Sequence, residues 1–396
     1  MYFDLFQDKQ LSRRQYYQEL HAHGSVLRGS APMPEFAECW YVIGYKEALA
    51  VLRSDAFVHD RSKISGSSPL SNFTGAAHQF WESLVEWPLF MDPPQHTEKR
   101  LALAQFFREQ SIQPLDQFIE MQCETLLEQA LRKAEFDLMQ DFAYPMALAV
   151  TCKVLGIHAP QTDWFKHQAR ALANAMDFHA TAYDYEPANN AVAQLSQYLE
   201  KAISNAQENS LCANLANQGM PKKDQISLLI QLLFAGQETS ADAIGNLMLV
   251  MDKKRELWHG VKTDGSMVDK ICKESLRYDT SLQFSGIRTA AQDLQVGNVN
   301  LKRGDSVLIV MGACNQDSRH FKQAMDFNYR REHSGPELTF GHGIHYCLGV
   351  HLARLELQIA LKSLIKLLPD HWSITETAMR RNIVFHGPSR LQISSL

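Results

Sequence analysis

The sequence predicts a mainly α protein with a long central helix and small antiparallel sheets. Three observations predict it. Leu115 to Asn209 is helical in pattern with few strand signals. Asp224 to Met251 is one long helical run, apolar nearly all round from Ile226 to Phe234, which predicts a helix buried on every side. Strand signals are short: Trp40 to Ile43, the alternating stretch Asp293 to Leu301 with Gly297 at its turn, and the tail Ile383 to Ile393, broken by Gly387-Pro388.

The totals narrow the class. A chain of 396 residues can bury a large core, and its length alone allows two or three domains. Hydrophobic content of 45% and charged content of 21% are those of a globular protein, and a net charge of −5 argues against a nucleic-acid binder. The seven cysteines (Cys39, Cys123, Cys152, Cys212, Cys272, Cys314, Cys347) include no C-x-x-C pair, which argues against a zinc ribbon or a thioredoxin-type site. Their odd number fits a reducing cytoplasm. Met1 to Arg14 carries Asp4, Asp8, Lys9, Arg13 and Arg14 and no long apolar run, so it reads as neither a secretory signal nor a membrane anchor.

In chain order, the strand at Trp40 is followed by Gly44 and a helix from Lys46 to Arg53. Phe57 to Phe90 reads as a long loop, rich in serine and glycine, with Phe73, Phe80, Trp81, Trp87 and Phe90 interleaved. Long ordered loops in compact domains are commonly functional. Asp92-Pro93-Pro94 precedes a helix on which His96 and Arg100 share a face. Within the buried central run, Ala235-Gly236-Gln237-Glu238-Thr239-Ser240 sets a glycine beside an acid and hydroxyls, a local conflict of the kind that marks functional sites. A kinked helix, with Thr239 bonding back to a carbonyl, is the structural alternative. Glu274 and Arg277 put opposite charges on one helix face.

The densest signal is Phe340-Gly341-His342-Gly343-Ile344-His345-Tyr346-Cys347-Leu348-Gly349. Leu348, Leu352, Leu355, Ile359 and Leu361 follow at near-helical spacing, so Cys347 falls at or just before a helix N-terminus. Peptide N–H groups there favour a thiolate. Gly341 and Gly343 permit backbone angles that a Cβ forbids, and Gly349 offers no side chain to obstruct a flat ligand. A thiolate beside such a surface is the chemistry of haem-thiolate iron.

The ten-residue string resembles the haem-binding loop of the cytochrome P450 superfamily. Asp92 to Arg100, Ala235 to Ser240 and Glu274 to Arg277 resemble further segments of that family in the right order. The resemblance covers roughly Trp40 to Ile393 and is closest to soluble bacterial members. It implies one domain over 1–396 with the cytochrome P450 fold, a long central helix over haem and small antiparallel sheets. It implies haem b as cofactor and Cys347 as its axial metal ligand. His96, Arg100, Arg288 and His345 are then propionate partners, and Phe340, Gly341 and Gly349 lie beside the macrocycle. Ala235, Gly236, Glu238 and Thr239 form the oxygen-activation segment: Gly236 leaves room for O2, Thr239 holds a water, and Glu238 relays protons. Glu274, Arg277 and Arg331 form a structural charge set, with Arg330 the close competitor of Arg331. The substrate pocket is lined from Phe57–Phe90, a lid at Phe165–Asn190, Phe234 and Ala235, Leu282–Ile287, and a tip at Val384–Ser389.

The implied reaction is a monooxygenation of a mid-sized apolar or aromatic, natural-product-like small molecule, free or carrier-tethered, with O2. The leftover length holds no flavin or iron–sulfur module, so a ferredoxin or flavodoxin and an NAD(P)H-dependent reductase supply electrons. That partner is expected to dock where Cys347 is nearest the surface, with Lys99, Arg108 and Arg354 as candidate cations. No nucleic acid or membrane is involved. The same scaffold performing oxidative phenolic coupling, or serving as a haem sensor without turnover, are the alternative functions. Two departures stand out. Thr280 occupies a position where the family usually has proline, and Glu337 one where many soluble members carry a propionate-contacting histidine.

Overall fold

The computed structural model describes residues 12–30, 38–66, 70, 73–332 and 335–395. Asp4, Asp8 and Lys9 of the N-terminal stretch, and Ser67, Ser68 and Pro69 of the expected loop, lie outside the described residues. The described residues form a helical body with small sheets at its margins.

The central helix runs Lys222–Lys253, 32 residues without a break. Leu228, Leu229, Leu233, Ile244, Leu247 and Met248 are buried round its circumference, which a helix apolar on every side requires in water. Tyr144–Leu155, Ala182–Ser204, Met267–Tyr278 and Val350–Leu367 pack around it. The helical pattern of 115–209 becomes Asp116–Ala130, Tyr144–Leu155, Thr162–Ala175 and Ala182–Ser204. None of the described helices is long and apolar enough to cross a membrane.

The strands are β1 Val26–Ser30, β2 Glu38–Val42, β3 Phe57–Val58, β4 Glu135–Asp137, β5 Arg288–Ala290, β6 Leu294–Val296, β7 Val299–Leu301, β8 Ser306–Ile309, β9 Ser373–Met379 and β10 Pro388–Ser394. They form three sheets ordered β1-β2-β8-β5-β3, β4-β10-β9 and β6-β7. One expectation is corrected here. The β2–β8 pairing is parallel, with Trp40 opposite Val307 and Val42 opposite Ile309, while the other pairings are antiparallel. A parallel pair needs a long crossover, and here much of the helical body lies between the two strands in sequence. β6 and β7 form the expected hairpin, closed by Gly297 at φ +57°.

The segment Phe57–Phe90 is not a loop throughout. Gly75–Leu84 is a helix of ten residues in which Phe80 and Leu84 are buried. Phe80 and Leu84, at helical spacing, form its buried face, and serine and glycine around the segment hid that period. The Phe80 ring packs against Trp81 and against Tyr185 of Ala182–Ser204.

Candidate active site

The cysteine loop precedes the helix Val350–Leu367, whose N-cap is Gly349. The Cys347 amide donates to the Phe340 carbonyl at 2.9 Å, closing the loop on itself. Gly341 and Gly343 adopt φ +67° and +73°. At Gly343 a Cβ would lie 2.1 Å from the Leu52 carbonyl oxygen, so glycine is required there by backbone approach as well as by φ. At Gly349 a Cβ would meet nothing within 4 Å, so that side of the loop is open. Burial pushes the Cys347 thiol above its ordinary range, against the pull of the Gly349 amide and the Arg100 and Arg354 guanidiniums.

Beside this loop lies a basic cluster. His96, on the helix Gln95–Ala104, is buried, and neither ring nitrogen has a hydrogen-bond partner among the described residues. The His345 ring is 4.4 Å from it, and the His59 ring is 4.6 Å from His345. The Nε2 atoms of His345 and His59 likewise lack partners among the described residues. Arg288, buried at the start of β5, donates to Ser285 Oγ at 3.1 Å and to the Gly286 carbonyl at 3.2 Å. Burial pulls Arg288 down to about 10. Burial, then Arg288, His96 and Arg100, pulls His345 down to about 3. The acid at hand, Asp92, is turned to the backbone, accepting from the His59 and Asp60 amides at 2.9–3.1 Å. Buried imidazoles with unmet hydrogen bonds beside the Arg100 and Arg288 guanidiniums suit an anion with two acidic arms. The propionates of haem, bound with its iron at Cys347, fit this donor set.

Arg100 differs in part from expectation. Its guanidinium donates to the Tyr346 carbonyl and so clamps the cysteine loop. His59 was not foreseen. It follows β3, whose antiparallel pairing with β5 sets Val58 opposite Thr289 and brings His59 beside Arg288. Aspartate before two prolines, at Asp92, was the local signal, but its partner amides could not be read from it. Glu337 is buried and paired with Arg354 at 2.9 Å. It takes no part in the bonds of the basic cluster. Replacing Arg288 by alanine is expected to weaken haem retention by about 2 kcal/mol, roughly thirtyfold, read by haem transfer to an acceptor protein. Unchanged retention in the Arg100→Ala, Arg288→Ala double variant would sink the assignment.

On the central helix, Ala235 is exposed and Gly236 and Thr239 are half-buried, although the residues around them are buried. This is the window of the helix. Thr239 Oγ1 donates to the Ala235 carbonyl at 2.7 Å, the back-bond foreseen as the alternative, and keeps its lone pairs free to accept. Gly236 departs from its expected role. A Cβ there would lie 2.6 Å from Thr151 Oγ1, so it serves the close approach of Tyr144–Leu155 rather than room for a ligand. Gly236→Ala is expected to lower stability by about 1–3 kcal/mol through overpacking, less the ~0.5–1 kcal/mol that alanine gains in a helix. Thermal unfolding measures this, and Thr151→Ala in the same chain should restore most of it. An unchanged midpoint in the single variant would refute the account. Glu238 is buried, in an ion pair with Arg380.

The five expected pocket segments meet through aromatic rings. Phe234 lies 6.1 Å from Trp87 and 5.6 Å from Phe385, and Phe178 lies 5.3 Å from Phe284. The turn after Thr280 is held without the family's proline: the Gln283 amide donates to the Val384 carbonyl at 2.9 Å, and the His386 amide to Ser281 at 2.7 Å. Glu274 is fully buried against Arg277 (2.7 Å), and Arg331, not Arg330, completes the set at 3.2 Å. Arg330 instead lies by the Tyr329 ring. Two expected docking cations are engaged: Lys99 with Glu86 at 2.6 Å, and Arg354 with Glu337.

Comparison with known proteins agrees with this geometry. The family model described as "Cytochrome P450" matches residues 263–369. The chain is 28% identical over 363 residues to the biotin biosynthesis cytochrome P450 of Bacillus subtilis, covering 90% of this chain and 89% of that protein. It is 28% identical over 366 residues to the cytochrome P450 monooxygenase PikC of Streptomyces venezuelae, covering 89% and 83%. Among solved structures, P450BioI in complex with an acyl carrier protein ligated to hexadec-9Z-enoic acid superposes with a TM-score of 0.87 at 25% identity, covering 96% of this chain and 97% of that one. CalO2 superposes with a TM-score of 0.87 at 26% identity, covering 100% and 99%.

Proposed function

Because the chain belongs to the cytochrome P450 family, we propose that it uses O2 and external electrons to oxidise a mid-sized apolar or aromatic, natural-product-like small molecule. It is an oxidoreductase of the monooxygenase class with haem b as cofactor. The haem, when bound, supplies the iron at which O2 is reduced. Cys347 ligates it, and Phe340, Gly341 and Gly349 border it. His96, Arg100, Arg288 and His345, with His59, hold its propionates. Ala235 and Thr239 face the reacting space, and the Thr239 hydroxyl holds a water by accepting its hydrogen bond. Glu238 supplies protons to that water through its carboxyl. Phe234, Phe385, Trp87, Phe178 and Phe284 exclude bulk water and stack on an apolar or aromatic substrate.

The observation that carries this reading is the buried basic cluster with unmet hydrogen bonds, set against a cysteine loop that is open at Gly349. A cytoplasmic location is supported by seven cysteines, none in a disulfide. Ferredoxin or flavodoxin docking is assigned to the face where Ile344 is 52% exposed. A carrier-tethered substrate is a finer form of the same reading, motivated by the acyl-carrier-protein complex of P450BioI.

The test begins with a panel of aromatic, fatty-acyl and polyketide-like compounds, free and loaded on a carrier protein, read by the shift of the haem Soret band. The best binder is then turned over with NAD(P)H, reductase and ferredoxin. A product that gains one oxygen atom is expected. Dimerised product without added oxygen would instead establish coupling, and tight binding without O2 consumption would establish a sensor.

A further inference from the structure

The cation that holds Glu238 comes from the terminal hairpin. Arg380 directly follows β9 and opens the turn 380–387. Its guanidinium pairs with Glu238, donates to the Tyr144 hydroxyl, and brings Nε within 3.0 Å of Asp242 Oδ1. The Arg380 side chain is 11% exposed and that of Asp242 fully buried. The turn is seated tightly. A Cβ on Gly387 would meet Asp242 Oδ1 at 2.5 Å, and one on Gly245 would meet Pro388 Cγ at 2.4 Å. Asn246 Nδ2 donates to the His386 carbonyl at 2.9 Å. The same turn sends Phe385 edge-on to Phe234, on the pocket side of the central helix.

One cation thus serves two buried carboxylates. Apart from that ion contact, neither Asp242 oxygen has a hydrogen-bond partner among the described residues. Burial pushes Asp242 up to about 8, opposed by Arg380 and reinforced by Glu238. The other groups facing them are Tyr144, pushed up by burial, and Lys166 on Thr162–Ala175, pulled down by burial and Arg170 against Asp137 and Glu238. Arg380 pairs directly with Glu238, and Asp242 competes for it.

We propose that Arg380 is the positioning residue for Glu238, fixing the carboxylate in its ion pair in competition with Asp242. The inference rests on the reading above that Glu238 supplies protons to the site.

The experiment uses the haem-loaded protein with the substrate found in the binding panel. It follows kcat, the solvent deuterium isotope effect, hydrogen peroxide released per NAD(P)H, and the thermal midpoint against pH. The variants are Arg380→Gln, Arg380→Lys, Asp242→Asn and Glu238→Gln. Arg380→Gln leaves the Glu238 carboxylate unheld and should raise the solvent deuterium isotope effect and the hydrogen peroxide released per NAD(P)H, and Arg380→Lys should restore most of both. Asp242→Asn removes the competing carboxylate and should lower both. It should also flatten the pH dependence of the thermal midpoint. The raised carboxyl of Asp242 stabilises the fold at acid pH and loses that contribution as pH rises toward 8. If Glu238→Gln alters the isotope effect while Arg380→Gln and Asp242→Asn lower only the midpoint, with isotope effect and peroxide release unmoved, Arg380 is merely structural and the inference is overturned. If Glu238→Gln leaves the isotope effect at the wild-type value, the proton-supply reading itself fails. Should Arg380→Gln not fold, Asp242→Asn decides: a lower isotope effect and less peroxide support the inference, and wild-type values of both overturn it.

Discussion

Replacing Cys347 by alanine is expected to abolish turnover while leaving the polypeptide folded. Opposing influences act on the thiol, and burial is the larger. Burial favours the neutral form, whereas the Gly349 amide and two guanidiniums favour the thiolate. A bound metal resolves the contest, because a coordinated thiol is deprotonated outright. Alanine removes the thiol sulfur of the loop, and serine puts a hydroxyl oxygen in its place. We expect the carbon monoxide complex of the reduced protein to lose its thiolate-type Soret band in both variants. Turnover should fall at least about a hundredfold, which is ~2.7 kcal/mol of barrier. Loop closure by the Cys347 amide survives either change, so the thermal midpoint of the haem-free chain should move by no more than about 1 kcal/mol of stability. Retention of the thiolate-type band in Cys347→Ala would refute the ligand assignment.

The cysteine loop was legible because its chemistry is packed into one run, where the glycines, the cysteine and the following helical period all sit within reach of local rules. His59 was not legible. Its place in the basic cluster depends on β3 pairing with β5, strands separated by most of the chain. Arg380 failed for a similar reason: a single arginine in a turn carries no signal until β9 and β10 swing it over the central helix. Gly236 was seen as unusual, yet its reason lay in a neighbouring helix at Thr151 and not in the cavity. Lys99 and Arg354 looked free because the acids that bind them, Glu86 and Glu337, lie 13 and 17 residues upstream, outside the reach of helix-spacing rules. Spacing likewise left Arg330 and Arg331 unresolved, since adjacent residues on an irregular segment point in different directions.

That last pair leads to the largest expected loss of stability. Arg277 and Glu274 are fully buried, and every donor atom of Arg277 is used. Nε reaches Glu274 Oε2 at 2.9 Å, Nη2 reaches Oε1 at 2.7 Å and the Asp326 carbonyl at 3.2 Å, and Nη1 reaches the carbonyls of Asn315 and Ala324 at 2.7 and 2.9 Å. Arg331 adds a second cation to the same carboxylate and itself bonds the carbonyls of Lys322, Gln323 and Asp326. This network ties Met267–Tyr278 to the irregular stretch that leads into the cysteine loop. Arg277→Ala would leave a buried carboxylate with half its partners and two carbonyls without theirs, a cost of about 3–5 kcal/mol. Against a total stability of about 5–15 kcal/mol, such a protein should be recovered poorly and hold little haem. Arg277→Lys should rescue only part, because an ammonium cannot reproduce the planar fork. Arg331→Ala should cost less, since that side chain lies at the edge of the network, and Arg330→Ala should fall within about 0.5 kcal/mol of wild type. Urea unfolding of the four variants gives the order directly. An Arg330→Ala loss equal to that of Arg331→Ala would show that the wrong arginine has been assigned to Glu274.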